Sequence, residues 1–192
     1  MKISKYIILS LGLFLGFSAS SMAMGIPEVY ISGAFAKSKS KMDVETESNL
    51  DSIKKNFDTN SYLLSLGIRP LNVPVFGNFR VEAQYLGALS GDANKDNQYA
   101  LVVYYDILRI IPFINPYIGV GAKYASYKFN SIEDLKQKNK SLYTFHAGLV
   151  GETPIAPLGF FVEYRYSNTM NSNTFKMNSS DVMLGLRYYI LK

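Results

Sequence analysis

Residues 115–129 read NPYIGVGAKYASYKF, with Ile118, Val120, Ala122 and Tyr124 at alternate positions and Gly119, Gly121, Lys123 and Ala125 between them. Successive side chains of a strand point to opposite faces, so this spacing describes a strand with one apolar and one polar face. The same repeat runs through eight segments, at residues 28–37, 60–69, 78–89, 98–108, 116–128, 141–153, 158–168 and 180–191. No stretch of the chain reaches the ~18 consecutive apolar residues that a membrane-crossing helix needs. The expectation is an all-β chain of eight antiparallel strands in up-and-down order.

The segments between these strands alternate in character. Those after strands two, four and six carry proline, in RPLNVPVFGN, RIIPFINP and TPIAPLG, and proline ends a ladder because it has no N–H to donate. Those after strands one, three, five and seven are mostly longer and rich in Ser, Asn, Lys and Asp. Short turns at one end and polar loops at the other is the pattern of outer-membrane barrels.

One parity collects Leu64, Leu66, Ile68, Phe79, Val81, Leu101, Val103, Val162, Leu184 and Leu186, with Tyr and Phe near its ends. The other collects the charges Arg69, Arg80, Lys123, Arg165 and Arg187 against Glu82, Asp106, Glu152, Glu163 and Asp181, together with His146. A soluble lipocalin-like barrel would give the same alternation with its apolar face inward. Aromatic residues at the ends of the apolar parity and glycines on the polar one (Gly67, Gly119, Gly121, Gly148, Gly185) favour a transmembrane barrel with a narrow charged lumen. An eight-stranded interior is only wide enough for side chains to fill it. The balanced charges are therefore expected to form a plug.

Ahead of the strands, Lys2 and Lys5 precede an apolar run and Ser21-Met22-Ala23 supplies small residues for a peptidase. Residues 1–23 are read as a cleaved export signal, leaving 24–192 as one barrel domain. The formal charge of +5 includes Lys2 and Lys5, so the mature chain carries about +3. There is no cysteine, which excludes disulfides and cysteine metal sites.

NPYIGVGAKY after a proline turn and the closing DVMLGLRYYILK resemble the eight-stranded outer-membrane barrels of the OmpA-like and opacity-protein-like surface-antigen group. The resemblance spans essentially the whole mature chain, through short and degenerate motifs. It implies a surface-antigen, adhesin-like or envelope-structural role in a Gram-negative outer membrane, among outer-membrane lipid and lipopolysaccharide. The group ends its last strand on a pattern read by the barrel-insertion machinery, and here Gly185, Tyr188 and Ile190 fill those places, followed by Leu191 and Lys192 in place of a final aromatic. Some barrels of this kind are lipid A deacylases with His and Ser two residues apart, but FHAGL has Gly148 at that place. His146 is then expected to be an interior hydrogen-bonded residue, and the chain not to be an enzyme.

Other motifs read as scaffold. DANKDN, residues 92–97, lacks the Gly and Glu that a calcium loop requires, and no metal or cofactor is expected. The connecting segments at the loop end hold nine lysines against nine acids and the arginines lie in strands or at Arg109, so no nucleic-acid surface is expected. Apolar residues at rough helical spacing in segments 38–58 and 129–141 suggest short amphipathic pieces capping the barrel mouth, read either as a contact patch for a host or surface protein or as solvated loops. Lys39, Lys41, Phe57, Ile132 and Lys136 are the named contact candidates, and KSKSK at 37–41 reads as a solvated strand end, with contact to lipopolysaccharide phosphates as the alternative. A small pore and a lipid-modifying enzyme are the alternative functions.

Overall fold

The computed structural model describes residues 27–44, 53–73, 77–91, 94–107, 113–128, 138–153, 156–170 and 175–191. The expected export signal at residues 1–23, the whole of 129–137 and the first residues of DANKDN lie outside them. Eight strands follow in chain order: β1 (Glu28–Val44), β2 (Ile53–Val73), β3 (Gly77–Gly91), β4 (Asn94–Asp106), β5 (Ile114–Lys128), β6 (Lys138–Glu152), β7 (Leu158–Thr169) and β8 (Phe175–Leu191). Each pairs antiparallel with its sequence neighbour, and β8 returns to β1 to close the barrel. Closure leaves no strand edge with unpaired backbone groups, which is the only way strands can cross hydrocarbon.

The apolar parity faces outward on every strand. Leu64, Leu66, Phe79, Leu101, Ile118, Val120, Phe145, Val162, Leu184 and Ile190 are all exposed, and Phe35 most of all at 74%. The charged parity is inside: Arg80 and Arg165 are 0% exposed and Lys123 only 3%. Water would penalise this arrangement at every strand, whereas hydrocarbon outside and hydrogen-bonded charge inside satisfies both faces.

Along β8 the outward apolar run from Val182 to Ile190 covers about 26 Å of strand, or roughly 20 Å of height at a tilt of about 40°. Its upper border is aromatic on neighbouring strands in register: Phe35 pairs with Tyr62, Tyr85 with Tyr99, and Tyr99 with Tyr124. Tyr85 and Tyr99 stack with centroids 5.4 Å apart. At the lower border Phe79 and Tyr105 pair and stack at 5.0 Å.

Several strands run beyond the expected bounds, β1, β2 and β8 the furthest, each for a physical reason. β1 runs on to Val44 and β2 begins at Ile53, with a continuous ladder from Lys37↔Asn60 up to Val44↔Ile53. β8 follows them from Phe175. Alternation of polar with polar residues gives no hydropathy signal, so a strand that has left the membrane reads as loop. β2 also continues past Pro70 to Val73, with a register shift between Ile68 and Leu71. The bulge takes up Pro70 where no N–H is demanded. The β3–β4 connection, expected to be long, shrinks to residues 92–93 because both strands extend toward it.

Candidate functional site

The lumen holds an ionic network built from the inward parity of all eight strands. At its lower end Arg69 reaches Glu28 at 2.5 Å, Asp106 at 3.0 Å and Glu152 at 3.0 Å. The Tyr189 hydroxyl also donates to Glu152. One level further in, the Arg80 Nε–H donates to Asp106 at 2.8 Å and its Nη1 pairs with Glu82. The guanidinium sits in the corner made by two edge-to-face tyrosine rings, 3.8 Å from the Tyr104 centroid and 4.4 Å from that of Tyr117. Glu82 further accepts from Tyr30 at 2.8 Å, Arg187 at 3.2 Å and the Gln84 amide at 2.9 Å. A carboxylate with this many donors keeps its charge in a dry interior, because each donor replaces a lost water.

Glu163 is the second hub. It accepts from the hydroxyls of Tyr104 at 3.1 Å and Tyr117 at 3.0 Å, and one oxygen lies 2.7 Å from His146 Nδ1. Arg165 approaches it at 3.6 Å and donates to the Gln84 carbonyl at 2.7 Å. The other ring nitrogen of His146 lies 2.9 Å from Thr144 Oγ1. Hydroxyl, imidazole and carboxylate thus stand in the order of a hydrolytic triad. Thr144 is 1% exposed and His146 3%, and the amides of this strand are taken up in ladders on both sides. Both ring nitrogens of His146 are thus engaged by fixed partners, with the Tyr104 ring edge-on to it at 5.2 Å.

Room for these large side chains comes from glycines directly opposite them. Tyr30 pairs with Gly67, Tyr104 with Gly119, Tyr117 with Gly148 and Phe161 with Gly185. A Cβ on Gly148 would sit 2.6 Å from the Tyr117 ring, and one on Gly185 2.5 Å from that of Phe161. Each ring therefore lies flat across the backbone of the next strand. Apolar side chains, among them Ala36, Leu63, Leu86, Ala100 and Met183, also pack inside the lumen, with Lys123 opposite Ala100 and Asp181 one inward position above Met183.

Arg69, Arg80, Glu82, Asp106, Lys123, His146, Glu152, Glu163, Arg165, Asp181 and Arg187 are all buried, and they occupy the inward parity together. The network also recruits Glu28, Tyr30, Gln84, Tyr104, Tyr117, Thr144 and Tyr189, which sequence reasoning passed over. Parity could have found the tyrosines: Tyr104 is two residues from Asp106, and Tyr30, Tyr117 and Tyr189 alternate with outward apolar residues.

The candidate contact residues are placed differently from the loop positions expected of them. Lys39 and Lys41 stand on β1 and Phe57 on β2. The two lysines point outward and are exposed, whereas Phe57 is 4% exposed on the inner side. Inward parity at Phe57 removes it from any contact surface. Ile132 and Lys136 lie outside the described residues.

An apolar exterior around an ionic interior, closed without an edge, defines a transmembrane β-barrel of the outer-membrane type. No family model matches the chain, and no curated protein matches it in sequence. Among solved structures it is similar to Ail, the attachment invasion locus protein of Yersinia pestis, solved with the heparin analogue sucrose octasulfate (18% identity, 85% of this chain and 100% of that one, TM-score 0.46). It is also similar to the N-terminal β-barrel domain of Pseudomonas aeruginosa OprF (11%, 82% and 97%, TM-score 0.48). A third is the translocator domain of the autotransporter NalP from Neisseria meningitidis (11%, 96% and 96%, TM-score 0.34).

Proposed function

We propose that the protein is an outer-membrane surface barrel that presents recognition elements outside the cell on a rigid plugged frame, in the manner of a surface antigen or adhesin. The observation that carries this reading is the ladder of β1, β2 and β8, which continues well past the aromatic border with a polar outer face. Backbone hydrogen bonds hold that wall as a shaped surface, and rigid scaffolds that carry loops are where binding sites concentrate. In the orientation of this barrel class the wall and the longer connections face outward from the cell and the proline turns face the periplasm. The buried network is the frame's filling, and no bond is made or broken.

The test is to replace residues 38–59 with an Asn-Gly turn and express both forms in a non-adherent Gram-negative strain. Wild type is expected to confer attachment to host-cell monolayers and the shortened form to lose it while still showing a heat-dependent shift in gel mobility. Attachment that survives the shortening would overturn the assignment to this wall.

A further inference from the structure

The outward face of β1 changes character in one step. Below the aromatic border it presents Ile31, Gly33 and Phe35, and above it Lys37, Lys39 and Lys41, all exposed. Strand period fixes the three lysines on one side, and the flanking ladders hold them there: Lys37 pairs with Asn60 and Val182, Lys39 with Asp58 and Ser180, Lys41 with Asn56 and Asn178. Lys176 on β8 points the same way one pair higher. Asp58 opposite Lys39 and Asp43 opposite Lys176 each offset one charge, so the row formed by Lys37, Lys39 and Lys41 keeps a net positive charge.

Below this row the wall is concave. A groove of about 760 Å³ runs over Gly33 and Ala83, between Leu64, Leu66, Tyr85 and Leu186. The small residues set its floor; a Cβ on Gly33 would meet nothing closer than 3.9 Å. An apolar groove at hydrocarbon height with a cationic row at headgroup height matches an amphiphile with acyl chains and an anionic head.

The height of the row selects the head. Lys37 and Lys41 are four residues apart, about 13 Å along the strand, so their ammonium groups meet negative charge at more than one level. A glycerophospholipid carries its phosphate at one level. We propose that the outer face of β1 is a docking site for a phosphorylated glycolipid of the outer leaflet, with headgroup phosphates on Lys37, Lys39 and Lys41 and an acyl chain over Gly33. This rests on the outward orientation proposed above.

The measurement is titration of the folded barrel in zwitterionic detergent with a fluorescent phosphorylated lipopolysaccharide core glycolipid, its phosphatase-treated form, and phosphatidylglycerol. The phosphorylated glycolipid is expected to bind far more tightly than the other two. In the triple variant Lys37→Gln/Lys39→Gln/Lys41→Gln its affinity is expected to fall on the order of 100-fold, as for three basic residues near an anionic surface. Equal affinity for the dephosphorylated form or for phosphatidylglycerol, or an unchanged triple variant, overturns the proposal. In parallel, a Lys39→Cys variant on intact cells is treated with a membrane-impermeant thiol reagent. No labelling would overturn the orientation and both readings with it, whereas labelling with unchanged lipid affinity overturns only the docking site.

Discussion

At the scale of single residues the barrel separates positions by what lies behind them. Arg80 joins Glu82, Asp106 and two tyrosine faces, so Arg80→Met leaves carboxylates buried with fewer partners. Its cost is expected to be about 3–5 kcal/mol, read from urea unfolding in detergent, against less than about 0.5 kcal/mol for exposed Lys39→Gln. Two glycines make a sharper pair. A Cβ on Gly148 would lie 2.5 Å from the Val162 carbonyl oxygen, which is backbone and cannot swing away, whereas Gly33 has open space. Gly148→Ala is expected to cost about 1–3 kcal/mol, and Gly33→Ala close to nothing on the same unfolding curve. Composition shows both glycines, but only the rings opposite them tell the two apart.

At the scale of the strand the controlling quantity is register. β8 pairs with β7 on one side and β1 on the other, setting Arg165 against Asp181 and Arg187 against Ser32. Deleting Gly185 turns one half of β8 over: either Arg187 goes to lipid and Tyr188 into the lumen, or Asp181 goes out and Leu184 in. An arginine at the bilayer midplane costs about 2–4 kcal/mol, and the abandoned partners inside add to it. The deletion is expected to give no heat-modifiable species, and a folded band of normal mobility would contradict the pairing of β8. Strand existence and parity were legible in the alternation because lipid and plug demand opposite chemistries. The upper reaches of β1, β2 and β8 were not, since Lys39, Lys41, Asn56 and Asp58 look the same in a solvated strand as in a loop.

At the scale of the whole molecule, closure and filling make two linked predictions. A closed barrel keeps its shape in cold detergent, so the unheated protein is expected to migrate faster on a gel than the boiled one. A lumen crossed by Arg69, Arg80, Glu82, Glu163 and Arg187 and packed with Leu63, Leu86 and Met183 is expected to give no steady current in planar bilayers. Sustained single-channel steps in the wild type would mean that the plug rearranges, and would restore the small-pore alternative.

The period-two pattern determined the number of strands and which side chains share a face, because each side chain's parity is fixed by its position in the chain; the aromatic ends of the apolar parity and the glycines of the polar one then pointed the apolar face to lipid and the charges to the interior. Who touches whom inside was decided only by the tertiary structure. Arg69 meets Glu152 and Glu163 meets Tyr104 across long separations in sequence, through the stagger of eight tilted strands that no single strand encodes. The same stagger brought the tyrosines into the plug and laid each over a glycine. It also held Lys37, Lys39 and Lys41 on one outward face, where the sequence showed only a polar segment.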